Sequence, residues 1–167
     1  MVADASDGPE LSLVAPIIPN EGLGGLRLRT EIRQIQDLIM KQSLMKGDMY
    51  RLVGPFVAEY KLGEGEIRVG VDVRNGRIYQ LTAREGYKGR LFSDIFVGMP
   101  VSEALRSQPG LFYDEAEGSI RYKGVEGLAI DLPEDDLPPA LVPQMHIHSI
   151  SVYAVEIATL AGQGGDW

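Results

Sequence analysis

Cysteine is absent from the 167 residues, which excludes disulfides, zinc-thiolate sites and thiol catalysis. That absence fits a reducing cytosol. No stretch reaches the ~18 consecutive apolar residues of a membrane-spanning helix, and the opening MVADASDGPELSLVAPIIPNE has neither a basic region nor an apolar run of signal-peptide length. The expectation is a soluble protein that stays in the cytoplasm. Histidine is scarce, with His146 and His148 the two present. Basic residues also run out along the chain: residues 1–90 hold 13 Lys/Arg against 12 Asp/Glu, and residues 91–167 hold 3 against 12. The first part is thus +1 and the second −9. An acidic field of that kind repels nucleic acid and anionic membrane and raises the encounter rate with a basic partner. It also serves simply to keep a protein soluble, and both readings stay open.

At 44% apolar residues, a chain of this length builds one ordinary domain, or two small units sharing a core. Residues 1–20 are rich in Pro, Asp and Ser without periodicity and read as a tail or edge segment, as does the final LAGQGGDW, residues 160–167. Between them the clearest signal is a hairpin. EIRVGVDV alternates, RNGR turns at Asn75-Gly76, and IYQLTA returns. Ile67, Val69, Val71 and Val73 share one face of the first strand, and Arg68, Asp72 and Arg74 the other, so one side of this sheet is expected to be covered and the other wet or reserved for a partner.

Two short helices are predicted. In TEIRQIQDLIMKQ, Thr30 is the expected N-cap and Ile32, Ile35 and Ile39 form an apolar stripe. In MPVSEALRSQ, Pro100 suits the first turn, Val101, Ala104 and Leu105 form the stripe, and Pro109-Gly110 ends it.

Set side by side, these pieces suggest two copies of one unit. Leu26-Arg27-Leu28 matches Ile95-Phe96-Val97, the helix after Thr30 matches the one after Pro100, IRVGVDVRNG matches GVEGLAIDLPED, and RIYQLTA matches HIHSISVYAVE. The expected fold is α+β: two tandem strand-helix-β-meander units, residues 21–90 and 91–157, forming antiparallel sheet with short helices packed on one face, flanked by tails 1–20 and 158–167. A single irregular α+β domain without duplication is the alternative.

Several stretches carry residue types that other chemistries use. The glycines of NEGLGGLRLRT resemble a phosphate loop, but the apolar Leu26–Leu28 segment separates them from the helix start, so they are expected to form a tight turn feeding a strand. His146 and His148 share one face of MHIHS at a spacing that two metal ligands could use, yet that face continues as Ile150, Val152 and Ala154, which argues for sheet packing. Ser149 and Ser151 lie beside them without a Gly-x-Ser-x-Gly elbow. No cofactor and no metal are expected, and the protein reads as a non-enzyme. What stands out is an acidic set in the second copy: Asp114, Glu115, Glu117, Glu126, Asp131, Glu134, Asp135 and Asp136. LPEDDLPPALVPQ, stiffened by four prolines, serves equally as a docking loop or as an exposed linker.

The order glycine turn, LRLRT, helix and strands, repeated through Ile95 to Ala104 (IFVGMPVSEA) into GLAIDL, resembles the helix-plus-meander repeat of small outer-membrane-assembly lipoproteins. In tandem it is similar to the two-copy β-lactamase inhibitory proteins. This chain lacks the lipoprotein anchor cysteine and the inhibitor disulfides, so neither that location nor that target carries over. The resemblance implies a scaffold for gripping another protein. Size, acidity and build are also similar to the immunity proteins of bacterial polymorphic-toxin systems. The expected function is therefore an immunity-type inhibitor that binds a cognate protein toxin, basic around its active site, through the eight acidic residues. A small metal- or ligand-binding enzyme centred on His146 and His148, or a non-catalytic assembly factor, are the alternatives.

Overall fold

Alternating β-branched residues and glycine-marked turns produce a molecule dominated by antiparallel sheet. The computed structural model describes residues 9–43 and 50–167. Ten strands occur among them: β1 (Gly22–Leu23), β2 (Leu26–Arg27), β3 (Tyr50–Gly54), β4 (Val57–Leu62), β5 (Ile67–Asp72), β6 (Arg77–Ala83), β7 (Leu111–Asp114), β8 (Ser119–Tyr122), β9 (Val125–Asp131) and β10 (Ser149–Tyr153). Helix α1 (Gln36–Ser43) extends a 3-10 turn at Ile32–Ile35, α2 covers Val101–Ser107, and a final short α3 covers Leu160–Gln163.

β1 and β2 make a two-stranded hairpin, and the other eight form one sheet in the order β3-β4-β5-β6-β10-β9-β8-β7. The chain thus lays down two four-strand meanders, each preceded by a helix, and joins them through their fourth strands, β6 and β10. Two of the matched pairs of stretches occupy equivalent places, β5 with β9 as third strands and β6 with β10 as fourth, whereas Leu26-Arg27-Leu28 holds strand β2 and Ile95-Phe96-Val97 makes only a single bridge, from Ile95 to Leu91. The fold is α+β, as expected.

Register explains why the two meanders share one core. Leu62 pairs with Ile67, Ile67 with Ala83, Ala83 with Ile150, Ile150 with Ile130 and Ile130 with Ile120. That row crosses six strands and every member is buried. Ile35 and Ile39 ahead of and within α1, and Val101 and Ala104 of α2, belong to the same apolar cluster. Both helices therefore cover the same face. Burial of such side chains at about 25 cal/mol per Å² is the main force holding the sheet to its helices.

The opposite face follows the alternate register: Lys61, Arg68, Thr82, Ser151 and Ala129 in one row, Glu59, Gly70, Gln80 and Tyr153 in the next. It is polar and mostly half-exposed. A bulge in β6 places Tyr79 over Gly70, where an added Cβ would meet the ring at 3.0 Å.

Local expectations fail where tertiary contacts take over. Thr30 does not cap the helix. The 3-10 turn has no side-chain cap, and the Ile32 amide donates instead to the Gly76 carbonyl at 2.7 Å, while Thr30 accepts from the Ile78 amide. The β5–β6 connection is a four-residue loop, because Asp72 pairs with Arg77, and so Val73 lies past the strand end, 47% exposed, instead of joining the buried face.

Both terminal segments are docked. Residues 1–8 lie outside the described residues, but Ile17 is buried and its amide donates to Arg90, while Asn20 donates to Gly127. At the other end the Trp167 indole donates to Asp72 at 3.0 Å. These segments dock through single bridges and side-chain bonds rather than through ladders. No periodicity marks them in the sequence.

The glycine stretch forms the β1–β2 turn. Leu23 pairs with Leu26, and Gly24 and Gly25 between them have φ of 70° and 82°. Consecutive left-handed residues suit a two-residue hairpin, which glycine adopts without strain. The chain leading into the second unit also turns left-handed, at Phe92 and Ser93, between Leu91 and Ile95.

Candidate functional site

Sheet register gathers most of the acidic set. Asp114 pairs with Ser119, and Ser119 with Asp131, so the two aspartates lie in one row across β7, β8 and β9. Glu115 and Glu117 sit in the β7–β8 turn directly beyond this row, with Asp114 Oδ1 accepting the Ala116 and Glu117 amides at 3.1 and 3.3 Å. Glu134, Asp135 and Asp136 follow as the chain leaves β9 at the same end. Glu126, by contrast, is the second residue of β9, next to the β8–β9 turn at the opposite end of the strand. The long proline-bearing segment is anchored by Leu132, Leu137 and Val142, all buried, and by the Tyr113 hydroxyl on the Leu137 carbonyl at 3.2 Å. Its acidic residues between these anchors are exposed.

Asp131 differs from the others. Burial raises its carboxyl from its ordinary value, and the neighbouring Asp135 charge acts the same way, while the Ser149 hydroxyl and His148 oppose them. The remaining members are solvated or, like Asp114, near a cation: Arg121 lies 3.9 Å from Asp114.

The polar sheet face is cross-linked by side-chain hydrogen bonds and ion pairs. Thr82 and Ser151 are 2.8 Å apart across the β6–β10 seam, and Arg121 donates to the Tyr153 hydroxyl at 3.0 Å. Glu59 takes Arg51 and Arg68. Burial raises the Tyr79 hydroxyl above its ordinary value, with Glu59 and Asp72 adding to the effect.

The histidines do not continue into the buried face of β10. That strand starts at Ser149, and the alternation breaks just before it: Ile147 is buried between an exposed His146 and an exposed His148. Both imidazoles instead line a cleft of about 530 Å³ at the end of the sheet where β4, β5, β6 and β10 meet. Among the described residues no group of three or more His, Asp or Glu is placed to hold a metal. Lys61, Arg68, Arg84 and Lys88 share the cleft with the histidines. Sequence reasoning missed these cations because residues 1–90 are nearly neutral in sum and the four are scattered through them without a motif.

Among the described residues no helix is long and apolar enough to cross a membrane. No family model and no curated protein matches the chain. The solved structures do contain a similar fold: the crystal structure of the uncharacterized protein YfeY from Escherichia coli superposes with a TM-score of 0.52 at 12% identity, over 81% of this chain and 98% of that one. At that identity the likeness is one of fold, and it places this chain's architecture among known folds.

Proposed function

We propose that this protein is a cytoplasmic, non-enzymatic immunity-type inhibitor that binds a cognate bacterial toxin and blocks its active site. The observation carrying this reading is the convergence of seven acidic residues, drawn from positions 114 to 136, at one end of the second meander, beside a polar sheet face. Scattered charges merely solvate a surface. Charges collected at one edge of a firm sheet form a directed field, which steers a basic partner into register. The anchored 132–142 segment holds three of these carboxylates without the ordering cost that a loose loop would bear on docking.

Co-expression with the product of the neighbouring gene tests the reading. Rescue of growth, together with a complex whose association slows by roughly tenfold or more at low salt when the seven acids become Asn and Gln, is the expected result. Lack of any complex, or a neutralised variant that associates as fast as the parent with the same salt dependence, would rule it out.

A further inference from the structure

The cleft at the β4–β5–β6–β10 end reverses the charge balance of the chain. Acids outnumber bases 24 to 16 overall. Here four cations, Lys61, Arg68, Arg84 and Lys88, face two carboxylates, Glu64 and Glu85. Among the described residues Lys61, Arg84 and Lys88 have no carboxylate within ion-pair distance, although acids are abundant elsewhere on the molecule. Arg84 instead lies 3.5 Å from the His148 ring nitrogen. Arg68 is half-satisfied: one terminal nitrogen holds Glu59 at 2.8 Å, while its Nε is buried with no acceptor. That Nε–H is a buried donor with no protein acceptor on a side chain that lines the cleft.

The cleft is also preorganised. Its floor includes Tyr87 and Ile147, each 2% exposed. The Tyr87 hydroxyl is committed on both sides, accepting from the Gly24 amide at 2.8 Å and donating to the Ala15 carbonyl at 2.6 Å. The Ile147 backbone is tied to Met99 and Gly98. A volume of about 530 Å³ falls in the range of roughly 300–1,000 Å³ usual for small-ligand sites. Like charges converging on a fixed concavity repel one another, and an anion seated among them removes that cost.

We propose that this cleft binds a small polyanion, a phosphorylated or polycarboxylate molecule, through Lys61, Arg68, Arg84 and Lys88 with the two imidazoles at its rim. The site lies at the same end of the sheet as the acidic set, with Pro133 in its lining beside Glu134, but its ligand is small and opposite in charge to the partner sought by that set, so binding of the probes and formation of the toxin complex are read separately. Calorimetric titration of the purified chain at low ionic strength with inorganic pyrophosphate, ATP and citrate tests it. Saturable binding of at least one probe, weakened by added salt, is expected. Pyrophosphate or ATP alone would assign a phosphorylated ligand and citrate alone a polycarboxylate. The Arg84→Gln/Lys88→Gln variant should bind roughly tenfold or more weakly, while Lys123→Gln, in the β8–β9 turn at the far end of the sheet, should bind as the parent does. Circular dichroism checks the fold, and Lys61→Gln alone provides a second loss of affinity should the double variant fold poorly. No heat with any probe at millimolar concentration, or equal affinity in the cleft variants, would overturn the proposal.

Discussion

Arg29 grips Glu156 with two hydrogen bonds, Nε to Oε2 and Nη2 to Oε1, each 2.5 Å long. The same guanidinium reaches the Asn20 carbonyl at 2.8 Å and its side-chain oxygen at 2.6 Å, and that side chain also accepts the Val155 amide. One side chain therefore ties the entrance of the first meander to the exit of the second. Both partners are about a third exposed, so solvent screening limits the pair itself. Arg29→Ala should cost about 1–2 kcal/mol once the lost bonds to Asn20 are included.

The pH dependence of that cost has a definite sign. The Arg29 hydrogen bond holds the Glu156 carboxyl below its ordinary value of 4.5, against the opposing effect of burial. A depressed folded-state value contributes stability above the unfolded value and loses it as the pH falls through the folded one. Urea unfolding across a pH series should show the full Arg29→Ala deficit at neutral pH and a shrinking one below about pH 4.5, approached from above.

Asp72, 1% exposed, accepts the Arg74 amide, the Arg74 guanidinium and the Trp167 indole. Arg74 in turn donates to the Gln163 and Gly162 carbonyls, and Arg77 to the Trp167 carbonyl. Asp72→Ala removes the buried acceptor of a partly exposed guanidinium and of the indole and should cost about 1–2 kcal/mol. The chain has one tryptophan, so its fluorescence reads this contact directly. A red-shifted emission in the folded Asp72→Ala protein is expected, and an unchanged spectrum would mean that the indole stays docked by other means.

Two glycines with similar backbone angles should respond differently to alanine. Gly127 has φ of 76°, and a Cβ there would lie 2.7 Å from both the Asn20 side chain and the Tyr153 carbonyl; Gly118 has φ of 66° and open space around it. Gly118→Ala bears only the left-handed backbone cost, about 1 kcal/mol. Gly127→Ala must also displace the Asn20 turn, and should cost at least about 2 kcal/mol more by chemical denaturation.

Asp131 carries the opposite pH signature from Glu156. Burial raises its carboxyl value, so its charge disfavours the folded state at neutral pH, and that penalty is relieved as the pH falls through the raised value. Asp131→Asn should therefore raise the melting temperature at neutral pH by about 2 °C, with the advantage vanishing in acid. If the acidic end binds a basic toxin, the same substitution trades affinity for stability.

Short-range pattern made much of the sheet legible. Ile67, Val69 and Val71 alternate because one face of β5 is buried, and Pro100, Val101 and Ala104 mark α2 because helix starts and stripes are local matters. The acidity of residues 91–167 is likewise a property of composition. Tertiary structure decided what local pattern cannot encode. The joining of β6 to β10 sets which rows cross the whole sheet, and the pairing of Asp114, Ser119 and Asp131 turns dispersed acids into one end. The meeting of Lys61, Arg68, Arg84 and Lys88 with His146 and His148 needs strand ends that lie far apart along the chain. Thr30 lost its capping role to a carbonyl more than forty residues away, and Trp167 found its acceptor in Asp72 across the fold. A sequence states the preferences of neighbours along the chain; which distant groups share a cleft depends on register, where a shift of one residue turns every side chain to the other face.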